Sequence, residues 1–264
     1  MKILVPVKRI ASLDDEFEIN DDGRDVDPDF CEFDLNEFDE YALEAAVQIK
    51  EAAPEGTVEV VVLTIGPDDA DDVLRKALAK GADRAIRVDD AGLEEADRVA
   101  IARVIAQVAE NEEPGLVLCG AQSADQGHAQ TGMSVAALLG WARTAVVSKL
   151  DFTPGAATAQ VERELEGGLV ERIEVETPAV LTIQLGINTP RYASLRSIKQ
   201  ANAKPIECLT PQDIGLSAAE IGGAGALSRV RRVFVPERGR GEIIAGTPSQ
   251  QAARLLEIIS EVNG

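Results

Sequence analysis

From Lys2 to Gly120 the chain alternates short β-branched runs with segments of helical period, and nothing else in it restricts the possible folds so tightly. Lys2 to Val7 is apolar enough for a strand buried on both faces. Asn36, the expected N-cap, precedes a run in which Phe38, Ala42, Ala45, Ala46 and Ile49 recur at helical spacing. Val58 to Ile65 reads as a strand stopped by Gly66-Pro67, and Asp68 to Lys80 as a helix closed by Gly81. Arg84 to Val88 follows as a strand, Glu95 to Glu110 as a helix, and Leu116 to Cys119 as a strand closed by Gly120. Strands and helices of these lengths build right-handed βαβ units and a parallel sheet covered on both faces. The acidic stretch between the first strand and Leu35 reads as irregular.

From Thr144 the pattern changes to consecutive strands: Ala145 to Leu150, Gln160 to Leu165, Val170 to Val175 and Ala179 to Leu185, with a turn at Gly167-Gly168. They are expected to extend the sheet with antiparallel partners. Regularity weakens after Tyr192. Gly222-Gly223-Ala224-Gly225-Ala226 reads as a linker, Val233 to Val235 as a short strand and Ser249 to Val262 as an amphipathic helix. The expected organisation is an α/β domain over residues 1–220 and an arm over 221–264. The arm is too small to build a core and is expected to pack on another chain.

Composition narrows the function classes. No apolar run approaches the roughly 20 residues that span a bilayer, and the N-terminus reads as a core strand rather than a signal peptide. A soluble, cytoplasmic protein is the expectation. A formal charge of -20 argues against nucleic acid and anionic membrane as partners. Aromatic residues at 3% leave little to stack on single strands. Three cysteines without a C-x-x-C pair imply no disulfide framework, and one histidine, His128, rules out a histidine metal cluster. Fifteen acidic residues against one Arg24 lie between Asp14 and Glu44, either as a solvated surface or as a docking face for a basic partner. Arg229, Arg231, Arg232, Arg238 and Arg240 crowd the arm, which suits a tail lying against something acidic.

The loop Gly120-Ala121-Gln122-Ser123-Ala124-Asp125-Gln126-Gly127-His128-Ala129-Gln130-Thr131-Gly132 follows a strand and opens a helix. Ligands of open α/β sheets bind at that position. Its small residues let a ligand approach the backbone, and amides at a helix start suit a phosphate. Gln130 and Thr131 can add side-chain hydrogen bonds, while Asp125 can take a ribose hydroxyl or cap the next turn. Neither G-x-G-x-x-G nor G-x-x-x-x-G-K-[ST] is present. The residues alone leave a nucleotide site and an ordinary connection both open. His128 reads as a loop residue or a hydrogen bond to phosphate, and Trp141 and Phe38 read first as packing residues, with an electron relay as the alternative.

The string V-E-R-E-L-E-G-G from Val161, followed by P-A-V-L-T and N-T-P-R-Y-A-S-L, resembles the signature of the electron transfer flavoprotein beta subunit. The resemblance runs from the first strand to at least Ile206. It implies a doubly wound, mostly parallel, adenine-nucleotide-hydrolase-like sheet with an added antiparallel hairpin, and an electron carrier rather than an enzyme. The family holds AMP in a G-x-Q-x-x-D-x-x-x-Q-T-G loop, present here as Gly120, Gln122, Asp125, Gln130, Thr131 and Gly132, with Gln126, Gly127, His128 and Ala129 between them. Its other AMP contacts map to Pro6, to Asn36-Glu37-Phe38-Asp39 and to Ile65. Pro6 stands where the family usually has Ala, removing a backbone donor, and Glu37 replaces the Pro of N-P-F. A subset serving amine dehydrogenases looks closer, with a similar acidic lead-in and L-N-E rather than N-P-F. The resemblance also implies a recognition loop at 186–200, with Pro190, Arg191 and Tyr192 around an exposed Leu195 that anchors a partner dehydrogenase. Read without it, Leu195 would be a core residue after a turn.

The implied partners are an alpha subunit carrying most of the FAD, a flavoprotein dehydrogenase of acyl-CoA or amine type, and a membrane electron transfer flavoprotein–quinone oxidoreductase. A nucleotide hydrolase or adenylating enzyme of similar architecture would need S-G-G-x-D-S after the first strand, where Pro6-Val7-Lys8-Arg9-Ile10 stands. A nucleotide-binding sensor would lack the hairpin and tail. A bifurcating relative, with a second FAD in place of AMP, typically carries Val or a similar apolar residue at the position of Thr131.

Overall fold

The computed structural model describes residues 1–13, 17–93, 96–222, 225–236, 241 and 243–263. The chain runs β1 (Lys2–Pro6), β2 (Arg9–Ser12), β3 (Glu32–Leu35), α1 (Glu37–Ala52), β4 (Glu59–Ile65), α2 (Asp71–Ala79), β5 (Arg84–Val88), α3 (Arg98–Glu112), β6 (Leu116–Gly120) and α4 (Thr131–Leu139). It continues through β7 (Ala142–Asp151), β8 (Thr158–Leu165), β9 (Leu169–Glu176), β10 (Ala179–Ile183), α5 (Leu195–Ala203), β11 (Glu207–Leu209), α6 (Ala218–Ile221) and α7 (Pro248–Asn263).

Among the described residues nine strands form one sheet in the order β11-β5-β4-β1-β6-β10-β7-β8-β9. Pairings from β11 to β7 are parallel, and β7-β8 and β8-β9 are antiparallel. Side chains alternate across the pleat. Ile3, Val5, Leu116 and Leu118 pack with α1 and α2, whereas Leu4, Val117 and Cys119 pack with α3 and α4. Both faces are therefore covered, and each central strand reads as a continuous apolar run for that reason.

The expected antiparallel extension is corrected for β10. After the β8-β9 hairpin the chain returns and inserts β10 between β6 and β7, parallel to both. All five residues of β10 are buried, as suits an interior strand rather than an added edge. The β10-β7 register shifts between Leu181 and Ile183. Beside that shift Val146 adopts a left-handed φ of 59°, unusual for a β-branched residue, and its N–H donates to Thr182 Oγ1 at 2.9 Å.

Other expectations also change. The acidic stretch contains β2 and β3, which pair as a separate antiparallel hairpin, and β11 adds an edge strand after α5. Val233–Val235 forms no strand; instead the Val233 amide donates to the Gly23 carbonyl at 2.8 Å, so the arm crosses the acidic turn. The helix expected from Asp68 opens with a short 3-10 turn before α2. α3 starts at Arg98 because Asp97 caps it, accepting from the amides of Val99 and Ala100. Asp14 to Glu16, Glu95, Gly223, Ala224, Arg238 and Arg240 lie outside the described residues. In the arm, Leu227, Phe234, Ile243, Leu256 and Val262 are all exposed.

Candidate functional site

Strand order reverses between β1 and β6: successive units build leftward from β1 through β4 to β5, then cross to β6. Loops part on either side of such a reversal and leave a crevice at the carboxyl ends of the strands. Here it is a cavity of about 290 Å³. Its walls are the ends of β1, β4 and β6, the start of α1, the first turns of α3 and the loop into α4.

The end of β1 offers a ligand no free amide. Pro6 has none, Val7 donates to the Leu63 carbonyl at 2.8 Å, and Lys8 donates to Asp39 Oδ2 at 2.8 Å. The cleft there is walled by Pro6, Leu63, Ile65, Ile101 and Ile105, an apolar slot fit for a flat ring. Opposite it, α4 begins at Thr131 with Gln130 in the cap position but making no side-chain cap bond. Ala129 and Gly127 carry positive φ angles of 53° and 61°, which turn the loop onto the helix start. Gly132 is required by close approach: a Cβ there would meet the Thr182 methyl at 2.6 Å and the Cys119 Cβ at 3.3 Å. The uncapped first turn thus presents its positive dipole end to the cleft.

Asn36 holds the expected N-cap position of α1, but its side chain makes no cap bond. Its amide donates to the Gln122 carbonyl at 2.9 Å, and its oxygen accepts from the Ala124 amide at 3.1 Å, so it braces the loop instead. Asp39 is buried between the two strand ends and accepts from the Lys8 and Gly120 amides, the latter at 3.1 Å. Burial pushes its carboxyl up to about 7, against the pull of the hydrogen bonds from Lys8, Asn36 and Gly120. Burial opposes ionisation of Asp125 too, but the Lys8 ammonium at 2.6 Å and nearby donors hold that carboxyl below its ordinary value. Cys119 lies in the wall, where burial raises its thiol and leaves it inert.

Of the residues singled out in the sequence, Pro6, Asn36, Asp39, Ile65, Gly120, Gln122, Gln126, His128, Ala129, Gln130 and Thr131 line this one cavity. Glu37 is exposed, Phe38 is buried against the backbone beside Gly120, Asp125 pairs with Lys8, and Gly127 shapes the loop. Trp141 packs against the core under α3 and α4. Sequence reasoning missed Lys8, Arg98, Ile101 and Ile105. The two isoleucines are four apart on α3, a spacing that signals one shared helix face. Among the described residues no acidic, Cys or His group could hold a metal, and no helix is long and apolar enough to cross a membrane.

The segment after β10 lies elsewhere. Leu195 begins α5 and is 88% exposed, which excludes the core reading within this chain, and Tyr192 is 99% exposed. Arg191 turns back onto α1, to Glu44 and Glu51.

A mostly parallel sheet covered on both faces, with a cleft at its switch point, defines an α/β domain of the doubly wound kind. The electron transfer flavoprotein domain matches residues 31–214. The chain is 53% identical to electron transfer flavoprotein subunit beta of Methylophilus methylotrophus over 264 residues, covering 100% of both chains. It is 35% identical to the human protein of that name over 260 residues, 98% of each chain, and 33% identical to that of Bacillus subtilis over 260 residues, 98% and 97%. The chain belongs to the electron transfer flavoprotein beta subunit family.

Proposed function

We propose that this chain is the beta half of a heterodimeric electron carrier that holds AMP in the switch-point cleft and catalyses no reaction of its own. The carrying observation is the cleft's polarity: an apolar slot at β1 and β4 faces the uncapped start of α4. A base fits the first and a phosphate the second, with Thr131, Gln130 and the α4 amides as the phosphate donors. A volume of about 290 Å³ lies at the small end of ligand sites and suits a mononucleotide better than a dinucleotide.

FAD belongs mainly to the alpha partner, at the interface, and supplies the one- and two-electron chemistry. This chain's part is to complete the interface and present a docking loop, 186–200, with Leu195 and Tyr192 at its crest. Electrons arrive from a flavoprotein dehydrogenase, of amine or acyl-CoA type, and leave to a membrane electron transfer flavoprotein–quinone oxidoreductase. Residues 1–220 form the nucleotide-holding unit, of the adenine-nucleotide-hydrolase type, and the arm from 221 packs on alpha. The exposed apolar side chains of the arm support that role, because a free surface of this kind calls for a partner. The cytoplasm is the proposed compartment.

The test is to coexpress both subunits, denature the purified complex and identify the released ligands by mass. One FAD and one AMP per complex is expected. Two FAD and no AMP would instead assign the cleft to a second flavin, as in bifurcating relatives.

A further inference from the structure

One helix joins the two candidate functional regions. The start of α1 gives Asn36 and Asp39 to the cleft, and its later turns hold the segment that carries Leu195. The Asn188 amide donates to the Tyr41 carbonyl at 2.9 Å. Arg191 then makes a double fork. Its Nε and Nη2 donate to Glu44 at 2.8 and 3.0 Å, and its Nη1 and Nη2 donate to Glu51 at 2.6 and 2.9 Å. The Arg191 backbone amide adds a bond to Glu44 at 3.2 Å. Glu44 is a buried carboxylate, with 6% of its side chain exposed. Burial alone would raise it, but Arg191 and Gln48 outweigh burial and hold it below its ordinary value. Every acceptor atom of the fork sits on α1, so the guanidinium is committed within this chain. One residue later Tyr192 stands fully in solvent, and Leu195 follows.

We infer that Arg191 is a positioning residue for docking: it locks the loop to α1 so that Leu195 meets the partner already ordered. This rests on the reading of Leu195 as the anchor. Planar bidentate geometry fixes the backbone on both sides of Arg191, and an ordered loop binds more tightly because less conformational freedom is lost on contact. The rival role for Arg191 is a direct charge contact with an acidic partner.

The experiment uses the flavinated heterodimer and, as probe, an amine or acyl-CoA flavoprotein dehydrogenase that reduces the wild-type complex. Arg191→Gln, the Glu44→Gln/Glu51→Gln pair, the triple variant and Leu195→Ala are compared for KM and kcat, with hydrogen exchange of the amides at 188–195. Arg191→Gln is expected to raise KM about tenfold with kcat unchanged. The Glu44→Gln/Glu51→Gln pair, which keeps the arginine charge free for a partner, should raise KM as much. The triple variant should be no worse than either, and loop amides should exchange faster in all three. Should Arg191→Gln melt early, Arg191→Lys, which keeps the charge without the fork, must still raise KM. If the glutamate pair leaves KM unchanged or lowers it while Arg191→Gln raises it, Arg191 contacts the partner and the inference is overturned. An effect of Leu195→Ala with none from the fork variants overturns the inference alone. No effect of Leu195→Ala overturns the docking reading beneath it.

Discussion

Replacing Leu195 by Ala separates a docking anchor from a packing residue by magnitude. A fully buried Leu contributes about 1.5–3 kcal/mol through burial, and deleting one from a core costs about 2–5 kcal/mol. Leu195 is 88% exposed, so roughly one eighth of it is covered and truncation removes only ~0.2–0.4 kcal/mol of burial. Its place at the start of α5, after a Ser194 cap that bonds the Ser197 amide at 3.1 Å, adds no penalty, since Ala is the better helix former. The melting temperature of the heterodimer should therefore shift by about 1 °C or less. Loss of a central interface anchor costs on the order of 2 kcal/mol or more, roughly thirtyfold in affinity for the dehydrogenase. Differential scanning calorimetry beside stopped-flow reduction by the dehydrogenase reads both quantities from one preparation. A variant that melts several degrees early yet is reduced at the normal rate would refute the reasoning.

Thr131→Val removes a hydroxyl from the phosphate end of the cleft. Loss of one charge-assisted hydrogen bond, about 1.5–3 kcal/mol, should deplete AMP from the purified complex while leaving its flavin spectrum intact, and unchanged AMP content would count against the site. Gly132→Ala forces a Cβ onto the Thr182 methyl and should destabilise by about 1–3 kcal/mol, seen as an earlier melt together with lower AMP content. Asp39 is raised to about 7 from an ordinary 3.8, so the folded chain keeps a proton that the unfolded chain has lost. That contribution is complete below 3.8 and disappears as pH rises through about 7, so between pH 5 and pH 7 stability should fall by on the order of 2 kcal/mol. Urea titrations of the chain should show the fall in wild type and a flatter profile in Asp39→Asn; parallel profiles would remove the buried acid from the account.

Much of the sheet was legible because its signals are local. Val58 to Ile65 and Leu116 to Cys119 announce themselves through composition and their closing glycines. The loop from Gly120 to Gly132 was legible as a strand-to-helix connection, the position where such sheets hold ligands. Direction was not legible for β10, because a side-chain pattern of period two reads the same in parallel and antiparallel pairing. Its apolar residues Ala179, Val180, Leu181 and Ile183 on both faces already pointed inward, to a place between neighbours. Asn36 satisfied every local rule for a cap, yet the loop around Gln122 takes its side chain, and no local rule sees a partner that far along the chain. Arg191 and Glu44 are 147 residues apart, and only the fold brings them together. Lys8 was hidden for the same reason, since its pairing with Asp125 depends on β1 and β6 lying side by side.

The insertion of β10 between β6 and β7 has a consequence for how the chain is made. At the ribosome, β6 is complete at Gly120, but the strand that covers its free edge ends only at Ile183. At about 5–20 residues per second, that edge waits on the order of 3–12 s with its main-chain groups unpaired. For about half of that wait β7 is already complete and has the wrong place to take, because joining β6 directly would shut β10 out. The sheet can close correctly only when the late strand slots into a gap that the earlier ones have left open.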